Sequence, residues 1–292
     1  MSSSDQTLRF LFDQTPIRGE LTQLDRAYQD VLSKHPYPTA VKQLLGEFMA
    51  ATAMLSDTIK FDGTLSLQVR GAGQVRTLMA ECRHNRALRA IAQYNDDYDD
   101  AGPVLGEGQM AITIEPDKGK RYQGIVSIND GELTLNRVLE DYFQQSEQIR
   151  TRIWLYADGQ KSAGLLLQAM PESASASSLS ADLSEDWERL VHLAQTLTTE
   201  EALSLPGTEV LHRLFHEETV RVYEPNQLEF ECTCSRQRSE DAIRTMGVDE
   251  AVSLAAENGH IEIDCQFCHE RYAFTPEDVR ALFSASDDST LN

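Results

Sequence analysis

Hydrophobic positions along the first 170 residues fall into runs of two different periods. Across residues 42–60, Leu44, Leu45, Phe48, Met49, Ala51, Leu55 and Ile59 recur at helical intervals, with no Gly or Pro after Gly46, which predicts one buried helix. Runs at 63–69, 109–115, 122–128, 152–156 and 165–170 alternate apolar with polar residues or are apolar throughout. Gly, Asp and Pro separate them, so they predict strands. Residues 77–92 and 133–148 predict two more helices. Strands interleaved with helices in this way describe an α+β core domain over residues 1–171, its sheets covered by helices.

Beyond Met170 the pattern changes. Residues 171–182, PESASASSLSAD, have no apolar period and the small, polar composition of a linker. Two short amphipathic stretches follow. LSEDWERLVHLAQTL has Ser184 as its candidate N-cap and Trp187, Leu190, Val191, Leu193 and Leu197 as its apolar positions; TEVLHRLFHEE carries Leu211, Leu214 and Phe215. Helices this short form no core of their own and need a surface to pack on. They make a helical linker region over residues 172–231, ahead of a small module over 232–292.

Charge separates these regions further. The net charge is −21; residues 1–170 carry 18 basic against 22 acidic side chains, net −4, and residues 171–292 carry 8 against 25, net −17, with no lysine after Lys161. A surface this acidic repels phosphate backbones and anionic lipid, which argues against nucleic-acid and membrane-surface partners. It also keeps the later region dispersed when apolar groups are uncovered. At 292 residues, 41% hydrophobic and 25% charged, the composition is that of a folded chain with about two domains expected. No basic segment followed by an apolar run opens the sequence, and no window holds about 18 apolar residues, so a cytoplasmic location with reduced thiols is expected. Five cysteines in a reducing compartment point to metal or redox chemistry.

Four of the five form two close pairs, Cys232-Thr-Cys234 and Cys265-Gln-Phe-Cys268, separated by 30 residues. Two such pairs place four sulfurs around one tetrahedral zinc, each pair on a turn or hairpin, so Cys232, Cys234, Cys265 and Cys268 are the candidate ligands of one zinc per chain. Four independent buried thiols would leave the pairing without a reason. Cys265-Gln-Phe-Cys268-His269 also spells the C-x-x-C-H of covalent haem attachment, chemistry that normally follows export and leaves Cys232 and Cys234 unused. His269 is a further donor in place of a thiolate, although a neighbour of Cys268 in sequence is poorly placed to share its ion. Zinc held by four thiolates contributes about 10 kcal/mol or more to folding, comparable with a small domain's whole stability. Thiolates are also the oxidisable form of cysteine. If oxidation joined each close couple, the loops of 3 and 4 residues would stabilise by only about 2 kcal/mol each. Such oxidation would convert a folded module into a flexible one.

Other candidates carry less. Cys82, in RTLMAECRHNRALRAIA, reads as a small core residue on an amphipathic helix. His212 and His216 stand at i,i+4, a metal-binding spacing without a third ligand nearby. Asp96, Asp97, Asp99 and Asp100 form an acidic cluster that reads as a solvated loop, and Gly71-Ala-Gly73 lacks the downstream pattern of a phosphate loop. No set of residues identifies an enzyme active site.

FECTCSRQRSEDAI at 230–243 and IDCQFCHERYAF at 263–274, with KFDGTLSLQVRG, RYQGIV, LEDYFQQSEQ, GLLLQAMP and LFHEE upstream, resemble the bacterial 33-kDa redox-regulated chaperone family (heat-shock protein 33) over nearly the whole chain. The resemblance implies a core domain, a linker region and a C-terminal zinc-binding redox switch that inhibits the chaperone when reduced. It makes Cys232, Cys234, Cys265 and Cys268 the zinc ligands, and implies disulfides Cys232 with Cys234 and Cys265 with Cys268 on oxidation. The implied activity is a non-enzymatic, ATP-independent holdase that binds unfolding client proteins, as a homodimer when active. Trp187, Leu190, Leu211, Leu214 and Phe215 are then candidate client-binding residues. A zinc-stabilised adaptor or regulatory protein with a purely structural metal is the alternative from a different class.

Overall fold

The computed structural model describes residues 5–59, 61–84, 86–99, 104–129, 134–170 and 180–284. The chain forms two compact units, Met1–Glu231 and Cys232–Asn292. The first contains β1 (Gln6–Phe12), β2 (Ile17–Leu24), α1 (Arg26–Leu32), α2 (Thr39–Thr58), β3 (Gly63–Gly71), β4 (Val75–Arg83), β5 (Ala87–Tyr94), β6 (Gly108–Pro116), β7 (Tyr122–Ile128) and α3 (Leu135–Tyr142), which a wider π turn at Phe143–Glu147 continues. It then runs through β8 (Thr151–Ala157), β9 (Ser162–Ala169), α4 (Ser180–Ala194), α5 (Thr199–Ser204), α6 (Gly207–Phe215) and the short β10 (Val220–Val222), β11 (Asn226–Gln227) and β12 (Glu229–Phe230).

Two sheets result. The first has the order β10-β1-β2-β9-β8, with β11 also on β1; the second has the order β12-β5-β4-β3-β6-β7. Every pairing is antiparallel except that of β12 with β5. The long apolar helix α2 shares one core with both sheets. Leu45, Phe48, Met49 and Leu55 meet Leu24, Ile153 and Leu166 of the first sheet and Leu65, Leu67, Leu78 and Ile112 of the second. A helix contacted from two sides needs apolar residues around most of its circumference, which is why α2 is apolar well beyond one stripe.

The strand period of two sorts β9 between two cores. Leu166 faces α2, whereas Ala163, Leu165 and Leu167 join Phe10 and Leu21 on the opposite face. Helices α4, α5 and α6 cover that opposite face, so β9 is buried on both sides and reads as a continuous apolar run. This face is the surface that the short helices require. Thr198 and Glu201 form a reciprocal capping box at the start of α5.

Two expectations are corrected. Residues 77–92 are not a helix but lie on β4 and β5, joined by a turn with His84 at φ 51°. Leu78, Ala80 and Cys82 are buried alternately with half-buried Met79 and Glu81, a period of two that the helix-favouring Ala, Met, Glu and Arg content conceals. Cys82 is accordingly a strand residue. Helix α4 begins at Ser180, ahead of the predicted cap Ser184, because its polar first turn carries no apolar periodicity. Residues 171–179 of the expected linker, and Asp100 of the acidic cluster, lie outside the described residues.

The second unit consists of α7 (Arg236–Met246), α8 (Val248–Asn258), β13 (Ile261–Asp264), β14 (Arg271–Phe274) and α9 (Pro276–Ser284). Ile243, Ala251, Ala255, Ile261, Phe274, Val279 and Leu282 form its core. Gly259, at φ 80°, ends α8 in the left-handed conformation that glycine adopts without strain. A core of seven residues, two of them alanine, is small for a folded unit and leaves room for a stabilising metal.

A charged cluster is buried around Glu20 in the first unit. Arg9 Nε donates to Glu20 Oε1 at 3.0 Å, and its Nη2 donates to the Asp57 carbonyl. Burial, then the charge of Asp57 and a hydrogen bond with it, push Glu20 up to about 9 against the opposing pull of Arg9. Glu20 therefore holds a proton at neutral pH. Because an unfolded glutamate ionises near 4.3, the folded state alone keeps this proton between the two values, and stability falls as pH rises through that window. Glu20→Gln retains an acceptor for Arg9 and an N–H toward Asp57; it should flatten the pH dependence of the urea midpoint between about pH 5 and 9. An unchanged slope would exclude Glu20 as its source. Separately, a Cβ on Gly19 would lie 2.0 Å from the Phe10 ring, so Gly19→Ala should lower stability by about 1–3 kcal/mol in urea unfolding.

Candidate metal centre

Two local structures present the four cysteines. Cys232 and Cys234 occupy the strand-free segment leading to α7, whose N-cap Ser235 accepts a hydrogen bond from the Arg238 N–H. Cys265 and Cys268 lie in the turn between β13 and β14. The register pairs Asp264 with Arg271 across the base of that turn, and the guanidinium holds the carboxylate through two bonds of 2.7 and 2.8 Å. Inside it, the Cys265 N–H donates to the Glu270 carbonyl and the His269 N–H to the Cys265 carbonyl. His269 adopts φ 61°, which closes the turn.

These turns bring the sulfurs together. Cys232 Sγ lies 3.6 Å from Cys265 Sγ, and Cys234 Sγ lies 3.5 Å from Cys268 Sγ. All four are within 4.8 Å of one another. Zinc–sulfur bonds of about 2.3 Å in a tetrahedron set sulfur separations of about 3.8 Å, close to those observed and far beyond the ~2.05 Å of a disulfide. The Tyr272 hydroxyl donates to Cys234 Sγ at 3.3 Å, an outer contact that orients one ligand.

Electrostatics favour a cation at the centre. Burial raises the Cys232 thiol, but the Cys234 backbone N–H and the neighbouring thiols outweigh it and leave Cys232 lowered. Burial and the Cys232 thiolate hold Cys234 up; burial and the three surrounding thiols hold Cys268 well above the ordinary thiol value. Four thiols this close cannot all ionise beside one another, whereas a divalent ion stabilises every thiolate at once. The donor set and spacing fit zinc, which Cys232, Cys234, Cys265 and Cys268 would hold.

The other candidates fall elsewhere. His212 and His216 have ring centroids 6.3 Å apart, and among the described residues neither they nor Asp96, Asp97 and Asp99 belong to a group of three or more converging metal donors. His269 stands outside the sulfur cluster. Cys82 is fully buried, and burial pushes its thiol up to about 12. Trp187, Leu190, Leu211, Leu214 and Phe215 are all buried in the core between the first sheet and α4–α6. Tyr272 and the Asp264–Arg271 clamp escaped the sequence reading, since only the hairpin register shows that they frame the cysteines.

Thiol accessibility should divide the cysteines accordingly. In the native zinc form, alkylation followed by mass spectrometry should find Cys82 unmodified. Chelation should make the other four react, while Cys82 responds only after denaturation. Rapid native modification of Cys82 would contradict its placement.

Among the described residues, no helix is long and apolar enough to cross a membrane. The profile of the family described as Hsp33 protein matches residues 5–275. A 33 kDa chaperonin of Pseudomonas savastanoi pv. phaseolicola is 49% identical over 289 residues, covering 97% of this chain and 95% of its own length. The 33 kDa chaperonin of Pseudomonas aeruginosa strain PAO1 is 48% identical over 291 residues, covering 98% and 97%. The crystal structure of a 33 kDa chaperonin (heat shock protein 33 homolog) from Thermotoga maritima superposes with a TM-score of 0.79 at 18% identity, covering 97% of this chain and 99% of that one, a likeness of fold. With a sequence match spanning both units and the four-cysteine centre at its C-terminal end, the chain belongs to the Hsp33 family of chaperones.

Proposed function

We propose that this chain is a redox-regulated, ATP-independent holdase of the cytoplasm, with residues 1–171 as its core, 172–231 as a client-binding linker region and 232–292 as a zinc-dependent switch. The observation that carries the reading is the convergence of four thiols in a unit with a small apolar core. Zinc joins segments 30 residues apart in the sequence, so its loss removes a cross-link that the core replaces poorly. The chaperonin names of the relatives suggest a non-enzymatic role.

Oxidation supplies the trigger. In the folded centre, sulfurs of different motifs stand close, Cys232 to Cys265 at 3.6 Å and Cys234 to Cys268 at 3.5 Å. Cross-bridges of that kind would keep the two segments tied. Once zinc leaves and the unit loosens, only sequence neighbours stay close, which favours Cys232 with Cys234 and Cys265 with Cys268; these short loops restrain little. The freed chain then peels from β12 back through β11 and β10, strands of only two or three residues, toward α6 and α4. Trp187, Leu190, Leu211, Leu214 and Phe215 thereby become available to clients, and the acidic charge keeps the complex dispersed. The active form is a homodimer.

Oxidised, zinc-free protein should suppress light scattering by a heat-unfolding client without ATP, and the reduced zinc form should do little. Equal protection by both forms would favour a structural zinc site in an adaptor instead. Peptide mapping after peroxide should find the two local disulfides; dominant cross-bridges would overturn the unfolding step. Metal analysis of reduced protein should give one zinc per chain, lost together with the folded signal of the second unit on chelation.

A further inference from the structure

A largely apolar cavity of about 320 Å3 opens between the two sheets of Met1–Glu231, beside the C-terminal end of α2. Leu55, Ile59, Leu65, Ile112, Ile114 and Phe143 supply its apolar wall. The volume lies at the lower end of the range for small-molecule sites and corresponds to about ten water-sized groups.

The polar part of the wall is asymmetric. Arg18, on β2, reaches the cavity half-buried, with Nε and Nη2 both donating to Gln168 Oε1 and Nη1 donating to the Thr58 carbonyl at 3.3 Å. Every acceptor is neutral. A guanidinium has five N–H groups and stays charged in a protein; three are used here, and Arg18 forms no ion pair among the described residues. Behind it stand Arg9, Asp57 and Glu20, and Glu20, pushed up by burial and by Asp57, offers Arg18 little counter-charge. The Glu147 carboxylate, from the second-sheet side, accepts hydrogen bonds from the Tyr122 and Tyr142 hydroxyls at 3.0 and 2.9 Å. Both bonds fall on Oε1, so the hydroxyls solvate the carboxylate and fix it on the tyrosine side of the cavity. Gly124 makes this possible, since a Cβ there would lie 2.6 Å from the Tyr142 ring.

We propose that this cavity binds a small amphipathic monoanion, a medium-chain carboxylate whose head group takes the remaining N–H groups of Arg18 and whose hydrocarbon chain lies along the apolar wall. A cation would meet the guanidinium of Arg18, whose bonds are all to neutral acceptors. A neutral alcohol would fill the space and leave the guanidinium uncompensated, and a strongly hydrated dianion would lose more solvation than one arginine returns. The site is independent of the redox reading, because all its residues belong to Met1–Glu231.

Isothermal titration of the full-length, reduced, zinc-loaded protein tests this with sodium octanoate, octylammonium chloride and 1-octanol. Octanoate should bind once per chain, about tenfold or more tightly than the other two. Arg18→Gln should lower octanoate affinity about tenfold and leave octanol unchanged, and Ile114→Phe, which narrows the cavity from β6, should abolish octanoate binding. Equal affinity for the three probes, several octanoate molecules per chain, or full-strength binding by either folded variant would overturn the proposal. Should a variant unfold, the three-probe comparison on the native sequence still decides it.

Discussion

Burial of the first sheet on both faces is the constraint around which Met1–Glu231 is built. One face is occupied by α2, which also serves the second sheet, and the other by α4–α6. The two coverings differ in kind. α2 is a 20-residue helix fixed between two sheets, whereas α4–α6 lie against one sheet only and continue into short strands. Removing the first would dismantle the unit. Removing the second would uncover a continuous apolar surface including Leu8, Phe10, Leu21, Leu165 and Leu167 on a sheet still supported from behind.

The cysteine centre obeys a different economy of scale. Seven buried apolar residues among those described give Cys232–Asn292 modest stabilisation, so coordination bonds to a metal held by the four cysteines would carry a larger share than in a big domain. With a metal bound, the stability of the two units would answer to different chemistry, packing in one and thiolate ionisation in the other.

The parts legible in the sequence were those encoded locally. Helix α2 announced itself through an apolar period with few interruptions, and the four converging cysteines through two short motifs whose pairing does not depend on tertiary context. Residues 77–92 misled because good helix formers happen to alternate in burial on β4 and β5. In β1, Leu8, Phe10 and Phe12 alternate in burial with half-buried Arg9 and Leu11, a period of two that the apolar Leu11 blurs in the sequence. The cavity could not be read at all: Arg18 and Gln168 stand 150 residues apart and meet only through the pairing of β2 with β9.

The short strands β10, β11 and β12 have a consequence for the backbone itself. β10 and β11 line most of the outer side of β1, and β12 pairs with Ala87 and Leu88 at the start of β5. Were these few residues to lift away, β1 would present a ladder of unsatisfied amides and carbonyls along most of its length. Such a ladder recognises any extended polypeptide by its main chain and is blind to the side chains it carries, a form of recognition whose generality comes from peptide geometry and not from greasiness.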